Sequence, residues 1–290
     1  MQCLLLTQSG HRAITYELGL NRYDIVFRPS GFDRSKDDLW GEMKSRFIAA
    51  AAVSLFAAGT VSAAEIKVLA SGATEEIINE IVPAFEKASG HKVAIAFTGT
   101  ANIKKRIAAG EAYDLVIVGS LVIDGFIHQN KIVPNSRTDL MKSGVGAAVK
   151  ARAPKPDIGT SEALKKTLLA AKSIGYSSGP SGEYMVSLVE RMGIADQIKP
   201  KMKQVPSGTR ISTMIDSGEA EIGFQQISEL IHEKGIDYLG PLPPEIQNVT
   251  VYSAGLHTGS REPEAANALV KALKSPDAVG IIKAHGMEPG

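Results

Sequence analysis

From residue 65 onward, apolar positions follow two alternating rhythms. Ile66–Ser71 is a strand-like run ended by Gly72. Thr74-Glu75-Glu76 then opens a stretch whose apolar residues fall at Ile77, Ile78, Ile81, Val82 and Phe85. That spacing predicts a helix, stopped at Gly90, with Pro83 inside it as a kink. His91–Phe97 reads as a second strand, Ala101–Ala109 as a helix closed by Gly110, Tyr113–Val118 as a buried strand and Leu121–Gln129 as a short helix. Further on, strands are expected at 145–150, 173–176, 204–205, 222–225 and 249–256. Helices are expected at 161–171, 182–192, 210–217, 228–234, 262–274 and 276–285. Strand and helix alternate throughout, which predicts an α/β fold with parallel pairings and right-handed crossovers.

The chain before residue 65 has another character. Residues 43–64 read MKSRFIAAAAVSLFAAGTVSAA: a basic start, an uncharged core from Phe47 to Ala58 and a small-residue exit. These are the three parts of a secretory signal peptide. The core is too short to span a bilayer, which needs about 20 residues. Residues 1–42 precede it and show no sustained periodicity. They are read as an upstream extension that is not native, with Met43 as the true start. The competing reading is a genuine cytoplasmic extension with an uncleaved anchor. Cleavage near Ala64 or Glu65 predicts an exported, periplasmic protein. N-terminal sequencing that found a mature chain starting before Met43 would refute it.

Composition changes this picture in two ways. The chain has 32 Lys+Arg, 31 Asp+Glu and a formal charge of +1, with no basic stripe. It therefore lacks the electrostatic footprint of a nucleic-acid binder. Its single Cys, Cys3, and its single Trp, Trp40, both precede the signal. The segment from Ala64 onward is then thiol-free, with equal numbers of basic and acidic residues. No intrachain disulfide and no cysteine-based metal site is possible.

Four turns carry the candidate chemistry. Ser71-Gly72-Ala73-Thr74, Thr98-Gly99-Thr100-Ala101, Ser177-Ser178-Gly179-Pro180-Ser181-Gly182 and Pro206-Ser207-Gly208-Thr209-Arg210 each lead from a strand into a helix. Ligands of open α/β sheets bind at such carboxyl ends of strands. Helix N-termini offer unpaired N–H groups to anions, and small residues let a ligand approach them. Plain capping would use the same residue types. Arg210 opens a helix beside one such turn and serves either a ligand or a structural ion pair. Ser181 lies in G-P-S-G rather than a nucleophile elbow, and no His/Asp pair accompanies it by spacing. The His residues lack H-E-x-x-H spacing, and His232-Glu233 reads as a solvated helix end.

At these turns the chain resembles the periplasmic molybdate-binding proteins of ABC transporters, over roughly Glu65–Met287. The likeness rests on IKVLASGATEEI, FTGTANIKKRIAAG, Asp114-Leu115-Val116-Ile117, GPSGEY, TRISTMIDSGEAEIGF and KSPDA. It implies a two-lobed type II periplasmic binding protein, each lobe a mostly parallel sheet flanked by helices. Residues 65–144 plus 248–290 would form lobe 1 and residues 145–247 lobe 2, with the ligand between them. It also implies a membrane permease as partner, a monomer, no cofactor and no catalysis. The family's first-turn serine falls at Ala73, so Ser71, Thr74 or the Ala73 N–H would serve. Its second falls at Thr100, its backbone contacts at Ser181 and Thr209, and its tyrosine at Gln226. The expected ligand set is therefore Ser71, Ala73, Thr74, Thr100, Ser181, Thr209, Arg210 and Gln226. Molybdate or tungstate is the first expected ligand. A small carboxylate on the same scaffold is the alternative, and an exported hydrolase a third reading.

Overall fold

The computed structural model describes residues 16–21, 24–29 and 63–290. The chain divides into two units, Met1–Val61 and Ser62–Gly290. In the first, β1 (Tyr16–Asn21) and β2 (Asp24–Pro29) pair as an antiparallel hairpin, where the sequence pattern shows no periodicity. The signal at 43–64 lies outside the described residues except for its last two.

In the second unit the expected alternation is present. β3 (Glu65–Ser71) pairs in parallel with β4 (Lys92–Thr98) and β5 (Leu115–Gly119). Helix α1 (Glu75–Ser89) lies between β3 and β4, α2 (Thr100–Ala108) between β4 and β5, and α3 (Ser120–His128) follows β5. Helix α1 buries the five apolar residues its spacing marked out. It runs through Pro83 and ends at Gly90, whose φ of 76° is the left-handed cap that glycine adopts without strain. Alternation along β3 divides the core. Ile66, Val68 and Ala70 pack on one face with α1, whereas Leu69 packs on the other with Ile103 and Ile107 of α2.

The sheet is mixed rather than mostly parallel, because one long strand serves two regions. β6 (Thr138–Lys150) pairs antiparallel with β11 (Val249–Leu256) up to Gly144. From Val145 it pairs antiparallel with β9 (Ile222–Gln226). Its distal half also pairs with β10 (Ile236–Pro241). β9 continues in parallel to β7 (Ile174–Tyr176), and β7 to β8 (Met202–Gln204). The full order is β4-β3-β5-β11-β6-β9-β7-β8, with β12 (Glu288–Pro289) also on β6. A second core surrounds β6 and β9, built from Val145, Ala147, Ile222 and Phe224 with α4 (Ser161–Ala170), α5 (Pro180–Arg191) and α6 (Ala195–Ile198). The remaining α-helices among the described residues are α7 (Ile211–Asp216), α8 (Pro263–Leu273) and α9 (Pro276–Ala284).

One expected helix is absent. Residues 228–234 form only a 3-10 turn, Ile227–Glu229. The Ser228 hydroxyl donates to the Ala73 carbonyl at 2.8 Å, and Glu229 and Glu233 are drawn to Gln225 and Arg210. These tertiary bonds override the local helical preference. No helix among the described residues is long and apolar enough to cross a membrane.

Candidate functional site

All four Ser/Thr/Gly turns meet around one small cavity of about 70 Å³. Ser71 reaches it from the end of β3, Thr100 from the start of α2 and Ser181 from the first turn of α5. Thr209 and Arg210 reach it from the loop before α7, and Gln226 from the end of β9. The approach is close. A methyl group on Gly99 would stand 2.4 Å from Ser207 Oγ and 2.5 Å from the Gly208 nitrogen, so only glycine fits. Asn102 fastens the same two turns, its backbone N–H donating to Ser207 Oγ at 3.3 Å and its amide to the Ser207 carbonyl at 3.1 Å.

Two expected ligand residues lie outside the cavity, and the expectation is corrected for both. Thr74 is fully buried and its hydroxyl donates to the Ser71 carbonyl at 2.8 Å. Ala73 is buried beside it, and its carbonyl accepts from Ser228. The turn spends the Thr74 hydroxyl on its own geometry and the Ala73 carbonyl on the Ile227–Glu229 turn. Ser181 lines the cavity, but its hydroxyl is 2.8 Å from that of Ser177, so the two form one buried hydroxyl pair. With its amide nitrogen toward the Ser143 and Gly144 carbonyls at 3.2 Å, Gln226 accepts from the Thr250 hydroxyl at 3.0 Å. It thus ties β9 to β6 and β11 as well as facing the cavity.

The remaining wall is acidic, which the sequence reading missed. Glu75, Gln225, Glu229 and Tyr252 all line the cavity. Arg210 donates to Glu233 at 2.8 Å, to Glu75 at 3.2 Å and to Glu76 at 3.1 Å. Burial alone would lower its pKa, but Glu233, Glu229 and Glu75 hold it above the ordinary value. Glu233 is therefore a buried-side partner of Arg210 and Ser212, not a solvated helix end. Glu229 Oε1 accepts from the Gln225 amide at 2.8 Å. Burial pushes the Glu229 carboxyl up to about 7, against the lowering influence of Arg210 and Gln225. Burial, with Glu229 nearby, also keeps the Tyr252 hydroxyl un-ionised far above its ordinary range. The missed signal was the pair Gln225 and Glu229 at a spacing of four, hidden by the surface helix expected there.

This arrangement suits capture of a small anion by dipoles, with one carboxyl placed to exchange a proton near neutrality. Among the described residues no group of three or more His, Cys, Asp and Glu side chains could hold a metal ion.

An α/β chain with a polar cavity at its strand ends is the form of a ligand-capture protein. Residues 66–288 match the bacterial extracellular solute-binding proteins, and the chain belongs to that family. It is 36% identical over 230 residues to the aconitate isomerase of a Pseudomonas species, covering 77% of this chain and 87% of that one. It is 26% identical over 248 residues to the molybdate-binding protein ModA of Azotobacter vinelandii, covering 83% and 96%. The solved structure of the Azotobacter vinelandii periplasmic molybdate-binding protein superposes with a TM-score of 0.66 at 20% identity, over 77% of this chain and 98% of that one. The expectation of a chain without catalysis is overturned by the first of these relatives, which carries an enzyme's name.

Proposed function

We propose that the cavity binds a small unsaturated polycarboxylate of the aconitate type and moves a proton along it. The observation that carries this reading is Glu229, a carboxyl in the cavity wall pushed up to about 7. A cage for a fully oxidised anion needs no such group, whereas a general acid–base works best with a pKa near the working pH. The 36% identity to an aconitate isomerase supports the same chemistry.

The step balances within the substrate and one side chain. Ionised Glu229 removes a proton from the methylene carbon next to a carboxylate. The electron pair delocalises through the adjacent double bond onto carboxylate oxygen. Protonated Glu229 then returns the proton to the carbon at the far end of the allylic system, and the double bond shifts. Ser71, Thr100, Ser181 and Thr209, with the N–H groups of their turns, would hold the carboxylates and the charge that develops on oxygen. Gln226 would border the same space. Arg210 would act indirectly, since its guanidinium is occupied by carboxylates.

In this reading residues 65–144 with 248–290 form one lobe and residues 145–247 the other, closing on the ligand about the β6 crossing. Export through the 43–64 signal, a periplasmic location, a monomeric state and delivery to a membrane permease belong to the same proposal.

The test is to follow trans-aconitate with the purified protein in D₂O by proton NMR. Conversion to the cis isomer with deuterium entering the product is expected. Glu229→Gln should slow it by roughly 10²–10⁴-fold. No conversion by the unaltered protein would reject the isomerase reading. The donor-lined turns favour a second reading, capture of molybdate or tungstate. Calorimetric titration with both oxyanions tests it, and absence of heat with either would reject it.

A further inference from the structure

The formal charges around the cavity do not balance. Arg210 is the one cationic side chain lining it among the described residues. Its guanidinium is shared by Glu75 and Glu76 from the start of α1 and by Glu233 beyond the 3-10 turn. Glu229, on that turn, is a fourth carboxyl in the same cluster. Fully ionised, the cluster carries three more negative charges than positive ones, before any ligand enters. Hydroxyl and N–H dipoles can solvate an anion, but they do not cancel a carboxylate a few ångströms away.

Three of the four carboxylates hold hydrogen bonds to Arg210, and Glu233 holds a further one from Ser212. Glu229 differs, because its hydrogen-bond partner is the neutral Gln225 amide on β9. Its other neighbour on the cavity wall is the neutral Tyr252 hydroxyl from β11. Glu229 lines the cavity beside Gly72, in the first turn, where a side chain would stand 3.6 Å from Glu229 Oε1. Protonating Glu229 gives up its longer-range attraction to Arg210 but breaks no hydrogen-bonded ion pair, and it removes one of the three excess negative charges.

We propose that the cavity takes its anion together with one proton, carried on Glu229, so that capture is favoured by acid and release by base. The inference rests on the reading of the site as an anion site, but on neither ligand in particular. With a polycarboxylate bound, only complexes in which Glu229 has given its proton back turn over, so turnover rises with pH while affinity falls. Burial already holds the Glu229 carboxyl near neutrality, so a modest change in pH moves the balance. An entering anion raises its proton affinity further.

Calorimetry with trans-aconitate and with molybdate as probes tests this, each titrated at pH 6 and pH 8 in two buffers of different ionisation heat. Molybdate is fully ionised at both pH values and trans-aconitate at pH 8, so any proton taken up at pH 8 is held by the protein. At pH 8 about one proton should be taken up per anion bound, and less at pH 6, where Glu229 is already mostly protonated. Affinity should fall about tenfold per pH unit above the midpoint. In Glu229→Gln the uptake should vanish and affinity should become flat across this range. Uptake near zero at pH 8 in the unaltered protein, or undiminished uptake in the variant, would overturn the inference. The first arm needs no variant and stands even if the substitution fails to fold. Proton uptake without turnover would keep this inference and remove the isomerase. Turnover with pH-independent binding would do the reverse. Binding of neither probe would remove both.

Discussion

A glutamate among hydroxyls owes its behaviour to its neighbours, and Gln225 is the most exacting of them. Its amide oxygen accepts from the Ile211 N–H at 2.7 Å, a donor left open at the start of α7. With the oxygen fixed there, its nitrogen must face Glu229. That bond favours the ionised carboxylate and restrains the rise that burial imposes. Gln225→Leu should therefore lift the Glu229 midpoint by about one pH unit. Carbon-13 NMR of the glutamate carboxyls reads this directly, and an unmoved midpoint would reject the positioning role. Sequence made the hydroxyl turns legible, since Ser, Thr and Gly before a helix are a local signal. Ser71, Thr100, Ser181, Thr209, Arg210 and Gln226 do border the cavity. Glu229 was not legible, because its importance comes from burial and from Arg210 and Tyr252, distant in the chain, while its pairing with Gln225 four residues before looks like an ordinary helix surface. Thr74 misled for the opposite reason: a hydroxyl in the right turn was spent on the Ser71 carbonyl.

At the scale of elements, the turns before α2 and α7 meet with no room to spare. Gly99 has φ −76° and ψ 158°, a conformation any residue adopts, so its requirement is steric alone. Gly99→Ala should push the two turns apart and cost about 1–3 kcal/mol of stability if the contact is kept. Ligand affinity should fall at least tenfold, and solution scattering should show a larger radius of gyration. Unchanged affinity and radius would mean that the two turns need not touch for binding. The alternating strands and helices were legible here because each carries a strong period. β10, β12, α6 and the proximal half of β6 were not, being short or mixed in polarity. The distal half of β6 was found from its apolar run at Val145–Lys150, whereas Thr138–Gly144 is anchored by pairing with β11.

Over the whole molecule, Glu229 and Asp114 work at opposite ends of the pH scale. Burial would raise the Asp114 carboxyl, but N–H donors from Lys67, Arg261 and Glu262 and the Ser260 hydroxyl outweigh it and hold it low. Its contribution is full above the ordinary carboxylate range and is lost as pH falls through its lowered value. Glu229 is raised from 4.5 to about 7. Its contribution is full below about 4.5 and is lost as pH rises through 7. The Tm of the unaltered protein should therefore fall more steeply from pH 6 to pH 9 than that of Glu229→Gln. Equal slopes by scanning calorimetry would mean that Glu229 titrates normally in the fold.

The strand order has a consequence in time as well as in space. The region around β7, β8 and β9 is one unbroken stretch of chain. The region around β3 and β5 lacks its central partner until residues 249–256 arrive as β11 between β5 and β6. A chain emerging from its N-terminus therefore cannot complete the pairing of β5 until β11 has followed, whereas β6 to β10 are contiguous in the chain and can pair before it. The cavity, which draws turns from both stretches, should then form only after β11 is in place, and pulse-labelling hydrogen exchange during refolding would check it.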